Sequence, residues 1–319
     1  MRDDLNLSVS RIVPASADAS FRRYFRVRAE GETSIVMDAP PDKEDCVPFV
    51  RIARELYDMG LNVPHIQQQN FDAGFLLLSD LGETNYLSSL NGESADQLYH
   101  DAIDALLQLQ QGGSKSNLAL PAYDKKLFMA EMELFRQWLV GQHLGFNLSD
   151  GEESMLTSIF ELLAESALAQ PQTWVHRDYH SRNLMVCANN NPGILDFQDA
   201  VRGPMSYDLV SLLRDCYIEW PLARQQQWLA YYCDGAQACG LLKNNERDNF
   251  MRWFDLMGVQ RHLKAAGIFA RLSHRDGKEG YLGDVPRTLG YICRLEGYPV
   301  LQPLIDFINR RVLPKLMVC

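Results

Sequence analysis

The chain has 319 residues, 46% hydrophobic and 23% charged, a composition that suits one large or two medium globular domains. Its net charge of −10 excludes the basic footprint of non-specific nucleic-acid binding, and no apolar run reaches the ~20 residues of a membrane span. Seven cysteines are scattered without a Cys-x-x-Cys pair, so free thiols in a reducing compartment are expected, not a disulfide framework or a zinc cluster. The opening Met-Arg-Asp-Asp-Leu-Asn has no apolar leader core, and a cytoplasmic location is expected.

In chain order, Arg11–Pro14, Tyr24–Arg28 and Ser34–Asp38 are apolar or β-branched runs separated by Ala15-Ser-Ala-Asp-Ala-Ser20 and Glu-Gly-Glu, and they predict three strands. Alternation puts Arg26 and Arg28 on one face of the second strand and Arg23 on the other. Residues 45–60 predict a helix, with Val47, Val50, Ala53 and Leu56 as its stripe and Gly60 as its stop. Phe75-Leu-Leu-Leu-Ser-Asp80-Leu-Gly82 predicts a short buried strand ending in a turn. From Ser94 onward helical stripes dominate: Leu98 to Leu107, Leu127 to Leu144 and Met155 to Leu168. Composition therefore divides the chain near residue 80 into a β-rich segment, 1–80, and a mostly helical segment, 81–319.

The stretch from Trp174 to Asp199 interrupts that helical pattern. Leu184–Cys187 and Gly193–Phe197 are two β-prone runs around an Asn-Asn-Asn-Pro-Gly turn, a strong hairpin signal. A hairpin of that size would bring Asp178, Asn183 and Asp196 to one end. The spacing His176-x-Asp178-x-x-x-x-Asn183, followed by a strand ending in Asp196-Phe197, is that of kinase catalytic loops. Such chemistry needs a carboxylate at the acceptor hydroxyl, here Asp178, and oxygen ligands for magnesium, here Asn183 and Asp196. His176 is expected to brace the loop. A zinc-protease helix through His176 and His180 is disfavoured, because Arg177 stands where that motif needs Glu and Trp174-Val175 predicts a strand. A polar surface turn is the bland alternative, and the apolar runs on both sides argue against it.

The run His176-Arg-Asp178-Tyr-His-Ser-Arg-Asn183, with Leu195-Asp196-Phe-Gln-Asp-Ala and Gly203-Pro-Met-Ser-Tyr207-Asp208-Leu, resembles the aminoglycoside phosphotransferase/choline kinase superfamily. Within it the chain resembles the bacterial N-acetylmuramate/N-acetylglucosamine anomeric kinases of cell-wall recycling. Ser20-Phe-Arg-Arg-Tyr-Phe-Arg26, Met37-Asp-Ala-Pro-Pro41 and the basic stretches Arg261–Lys264 and Arg271–Gly277 share in that likeness. The resemblance implies an α+β, protein-kinase-like two-lobe fold with a β-rich N-lobe and a mostly helical C-lobe. It also implies ATP and Mg2+ as cofactors and a small-molecule amino-sugar acceptor, with no nucleic acid, membrane or obligate protein partner.

The resemblance extends to single residues. The 15–26 segment, including Ser20, would cover the phosphates, although it lacks the usual glycines. Met37 stands where a kinase carries its phosphate-binding lysine, so Arg23 or Arg26 is expected to supply the charge. Glu55, the helix acid that normally pairs that lysine, carries no role over. Phe75–Gly82 would be the lobe connector, with backbone groups for adenine. Asp208 would brace the catalytic loop from behind or simply cap its helix. Asp199 is a support or a solvated charge, and Gln198, where relatives carry an acid, leaves the number of metals open. Arg261, Lys264 or Arg271 would meet a substrate carboxylate. Two competing readings are a kinase for cationic acceptors such as aminoglycosides or choline, and a nucleotide-binding pseudokinase scaffold, which Met37 favours.

Overall fold

The computed structural model describes residues 9–17, 21–29 and 31–317. They form two compact units: the chain up to Leu118 with Arg182–Ala200, and Ala119–Ser181 with the chain from Val201 onward. Packing thus draws a line different from the compositional one near residue 80. The helix after that point and the hairpin are tied to the β-rich segment by hydrogen bonds: Gln108 Nε2 donates to the Met59 carbonyl at 2.6 Å, Ser116 Oγ to Glu55 at 2.7 Å and Asn190 Nδ2 to the Gly60 carbonyl at 3.0 Å.

The first unit is built on an antiparallel sheet of β1 (Val9–Ala17), β2 (Arg23–Ala29), β3 (Glu32–Asp38), β4 (Ile66–Asn70) and β5 (Phe75–Ser79), in the order β1-β2-β3-β5-β4. Facing residues of an antiparallel pair share a sheet face, so the register sorts the side chains. Phe25, Val36 and Leu77 stand in one row, and with Val27 and Phe75 they form an apolar cluster. On the opposite face the rows are Tyr24, Met37, Leu76 and Arg26, Ile35, Leu78. Met37 and Leu76 are fully buried there, and each such side chain contributes roughly 1.5–3 kcal/mol. Helix α1 (Cys46–Asp58) starts at Asp45, whose carboxylate accepts from the Val47 N–H at 2.8 Å, and buries Phe49, Val50, Ala53 and Leu56. Gly60, at φ +83°, ends it in a conformation that a side chain resists. Helix α2 (Ala95–Gly113) buries Leu98, Ile103 and Leu106 at the predicted spacing.

The hairpin forms, with Leu184 facing Ile194 and Met185 facing Gly193. Its paired strands, Leu184–Met185 and Gly193–Ile194, are shorter than the predicted runs 184–187 and 193–197. Asn191 takes over at the turn, accepting from the Cys187 N–H at 3.0 Å and donating to Tyr86 and Asp101 at 2.7 Å each. At the other end Asp196 adopts φ +63°, a left-handed conformation that cannot continue a strand.

The second unit is mostly helical: α3 (Lys125–Leu134), which runs on as a π-helical segment Phe135–His143, α4 (Asp150–Leu168), α5 (Tyr207–Leu213), α6 (Leu222–Ala238) and α7 (Arg247–Asp276), with β6 (Gln172–Val175) paired to β7 (Val201–Pro204). The 30-residue α7 is its central post. It buries residues around its circumference, from Phe250 to Ala270. A Cβ at Gly267 would lie 2.3 Å from the Leu134 backbone carbon, so only glycine permits so close an approach to α3. Among the described residues no helix is long and apolar enough to cross a membrane, and Cys46, Cys187, Cys216, Cys233, Cys239 and Cys293 are free thiols.

Candidate active site

A cavity of about 610 Å³ opens in the first unit, within the range of a small-molecule site. One wall is the sheet face bearing Tyr24, Arg26, Ile35 and Leu78; others are Ser79 at the end of β5 with the following residues to Glu83, and the hairpin residues Met185 and Leu195. Asn183 and Asp196 also line it. Their proximity follows from the hairpin: one residue precedes its first strand, the other follows its second, and the Leu195 N–H donates to the Asn183 carbonyl at 2.9 Å. The left-handed turn at Asp196 leaves its carboxylate 3.5 Å from Asn183 Nδ2. Gln198, which carried no assigned role, holds that carboxylate by donating from Nε2 at 2.8 Å. The Gln198 Oε1 atom is buried without a hydrogen-bond partner beside it. Amide and carboxylate oxygens with a spare buried carbonyl are the donor set of a hard cation such as Mg2+, which takes one or two protein ligands and keeps waters. Among the described residues no group of three or more His, Cys, Asp or Glu is arranged to hold a metal ion.

Of the three residues expected near the phosphates, Ser20 lies outside the described residues. Arg26 shares its sheet face with buried Met37, and its side chain is 16% exposed. It makes a two-pronged pair with Asp80, at 2.6 and 2.9 Å, and a third contact to Glu83 at 2.9 Å. Hydrogen bonding to Asp80 holds its guanidinium above the ordinary arginine pKa against the effect of burial. Arg23 points from the opposite face, pairs with Asp38 and is 64% exposed. Glu55, to which no role was carried over, is half-buried and accepts from Ser116.

Asp178 belongs to the second unit, and other groups set its loop. Both oxygens of buried Asp208 accept backbone N–H groups, from His176 at 2.6 Å and Arg177 at 3.0 Å. Burial pushes the Asp208 carboxyl up to about 6, against the pull of His176 and those two donors. His176 is buried and its Nδ1 accepts from the Asp178 N–H at 3.3 Å. Ser181 donates twice to Asp215, at 3.0 and 2.6 Å. Arg177, at φ +79°, is a non-glycine residue in the left-handed region, and its guanidinium is anchored 2.6 Å from Glu131. Burial drives the Asp178 carboxyl up, but Lys264, His180, Arg261 and His176 together hold it below the ordinary carboxylate value.

The three basic residues of α7 do not form the solvated face that helical cations usually make. Lys264 is buried, with Nζ 2.9 Å from the Tyr207 hydroxyl and 3.1 Å from Glu131. Arg261 is buried too, donating to Cys216 Sγ at 3.5 Å, with Nε lacking a partner. Arg271 lies two turns further on, half-buried, its pKa lowered by burial and by Arg275. Glu131, Asp215, Tyr207 and Gln198 are the site residues that sequence inspection missed. Glu131 had a signal: it lies three residues after Phe128 and four before Phe135, on a stripe that buries.

A model described as the phosphotransferase enzyme family matches residues 11–242. The chain is 50% identical over 286 residues to an N-acetylmuramate/N-acetylglucosamine kinase of Pseudomonas putida, covering 90% of this chain and 84% of that one. It is 44% identical to a protein of the same name from Neisseria meningitidis serogroup B, covering 91% and 87%. Among solved structures, an ADP-bound aminoglycoside phosphotransferase superposes with a TM-score of 0.56 at 18% identity, covering 91% of this chain and 95% of that one. That likeness shows the fold, the α+β protein-kinase-like architecture. The matched span includes the sheet, the cavity-lining hairpin and the Asp178 loop, and this chain belongs to the phosphotransferase enzyme family.

Proposed function

We propose that this chain is an ATP-dependent sugar kinase that transfers the γ-phosphoryl group to the anomeric hydroxyl of N-acetylmuramate or N-acetylglucosamine. The observation that carries this is the 44–50% identity, over nine-tenths of the chain, to kinases named for those two sugars. Nucleotide use is supported by the cavity beside Ser79–Glu83 and by the oxygen donors Asn183 and Asp196 on its wall. Asn183 and Asp196 would hold Mg2+, which when bound neutralises developing phosphate charge. Asp178 orients the acceptor hydroxyl and takes its proton as the oxygen bonds to phosphorus. Asp208 and His176 hold the loop that presents it. The charges that hold Asp178 below the ordinary carboxylate value are cationic, Lys264 foremost, followed by His180 and Arg261, which favours a neutral or anionic acceptor over an aminoglycoside or choline.

Phosphate transfer measured with N-acetylmuramate, N-acetylglucosamine, glucosamine, kanamycin and choline tests this. Turnover is expected on the two N-acetylated sugars. Transfer only to kanamycin or choline would refute it, and absence of ATP turnover with every acceptor would favour the pseudokinase.

Arg26 is the proposed substitute for the lysine replaced by Met37, because both project from one face. Arg26→Ala is expected to raise KM for ATP roughly 10–100-fold, the worth of a charge-assisted hydrogen bond of about 1.5–3 kcal/mol. Exposed Arg23, changed to Ala, is expected to stay within about twofold. Parent KM values in both variants would remove arginine from this role.

A further inference from the structure

Arg26, Ile35 and Leu78 stand in one row across β2, β3 and β5, and Asp80 follows Leu78 by one strand period. The row leads the Arg26 side chain to the residues just after β5, and it is bonded to three of them. Nε and Nη2 donate to the two oxygens of Asp80, at 2.6 and 2.9 Å. Nη2 also donates to the Gly82 carbonyl at 2.7 Å, and Nη1 donates to Glu83 at 2.9 Å. Gly82, at φ +97°, turns the chain so that all three reach one guanidinium. Arg26, Asp80, Gly82 and Glu83 all line the cavity.

The two acids on this guanidinium are unlike. The Asp80 side chain is 6% exposed and that of Glu83 is 77% exposed. Asp80 is also fixed from its own segment, its Oδ1 accepting from the Gly82 N–H at 3.0 Å. Burial pushes the Asp80 carboxyl up, but the hydrogen bonds from Arg26 and the Gly82 N–H hold it below the ordinary carboxylate value. A two-pronged arginine–carboxylate pair sets the direction of the guanidinium as well as balancing its charge. A single contact to an exposed carboxylate is weak, and a stronger anion takes it over readily.

Glu55, the acid on α1, is committed to Ser116 at 2.7 Å, so the carboxylate that orients Arg26 comes from the segment after β5. We propose that Asp80 is a positioning residue that fixes the Arg26 guanidinium in the cavity wall, and that Glu83 is its exchangeable partner, whose place at Nη1 a nucleotide phosphate takes. This rests on Arg26 being the cation that meets the phosphates. The phosphate then meets a guanidinium already held along its Nε–Nη2 edge. Little ordering of the cation is left for the binding step, and the pair that must break is the solvated one.

Dissociation constants of MgADP and of adenosine, measured by titration calorimetry on the full chain, test both roles. Glu83→Gln is expected to bind MgADP about two- to fivefold more tightly, the worth of an exposed ion pair, with adenosine unchanged. Asp80→Asn is expected to bind MgADP roughly tenfold or more weakly, because asparagine offers one acceptor oxygen where aspartate offers two, and to bind adenosine within about twofold of the parent. Loss of negative charge near a phosphate would by itself tighten both, so the opposite signs separate positioning from a diffuse charge effect. Tighter MgADP binding in Asp80→Asn, or equal weakening of MgADP and adenosine, overturns the role of Asp80. Should that variant not fold, Arg26→Lys decides: it keeps the charge but cannot span both Asp80 oxygens, and a parent MgADP constant there overturns the positioning. An unmoved MgADP constant in Glu83→Gln, or the same tightening when Arg26 is already alanine, overturns the exchange. A parent MgADP constant in Arg26→Ala would remove the phosphate role itself, whereas loss there with an unmoved Glu83→Gln constant removes only the exchange.

Discussion

An Asp178→Asn enzyme should bind ATP and sugar nearly as the parent does and turn over ~10²–10⁴-fold more slowly, the usual size of general-base assistance. The substitution keeps the side-chain shape but removes the basic carboxylate and its charge, so the side chain can no longer take the acceptor proton. The loop should hold, because three of its ties run through other side chains: Asp208 to two backbone N–H groups, Ser181 to Asp215 and Arg177 to Glu131. One negative charge beside the buried cations Lys264 and Arg261 would be lost, so some loss of stability is expected alongside, and circular dichroism is needed to confirm the fold. Single-turnover rates with both substrates saturating isolate the chemical step from binding and product release. A near-parent rate would mean that Asp178 only shapes the loop.

What could be read from the sequence tracks what is local. The strands of the first unit were legible because period-2 alternation is visible in a short window, and α1 because its stripe and Gly60 stop lie within 15 residues. The pairing of Asn183 with Asp196 was legible because an Asn-Asn-Asn-Pro-Gly turn fixes where the two ends of a hairpin meet. Alternation also separated Arg23 from Arg26. It could not choose between them, because the choice depends on the β2–β3 register that sets Arg26 on the face of Met37. The fate of Lys264 and Arg261 was not legible. Cations four residues or fewer apart on a helix normally face water, and only the burial of α7 on several sides reverses that. The partners of Lys264, Glu131 and Tyr207, lie 133 and 57 residues away in the chain, and the Cys216 partner of Arg261 lies 45 away, beyond any periodic signal. The short hairpin strands were missed for a different reason. The left-handed φ of Asp196 is imposed by its surroundings, and a run of Gly-Ile-Leu-Asp-Phe gives no hint of it.

That same backbone conformation makes Asp196→Asn the cleanest probe of the metal. Asparagine and aspartate are the non-glycine residues that best tolerate left-handed φ, whereas alanine there would add roughly 1–2 kcal/mol of strain unrelated to chemistry. An asparagine at 196 can also still accept from Gln198 Nε2 through its amide oxygen, so the contact beside the cavity is retained. What disappears is one negative charge among hard-oxygen donors, and Mg2+ binding depends on that charge. In the parent, MgADP at about 100 times its Kd should add about 2.7 kcal/mol of stability, seen as a rise in Tm of several degrees over ADP with chelator. In Asp196→Asn the magnesium-dependent part of that rise should vanish, and kcat/KM for MgATP should fall by ~10³-fold or more, as expected when charge neutralisation is lost at the transferring phosphoryl group. Asp196→Ala should show the same ligand insensitivity from a lower starting Tm, separating backbone strain from metal binding. A full magnesium-dependent shift in Asp196→Asn would mean that the cation is held elsewhere and that the hairpin end serves only to shape the cavity wall.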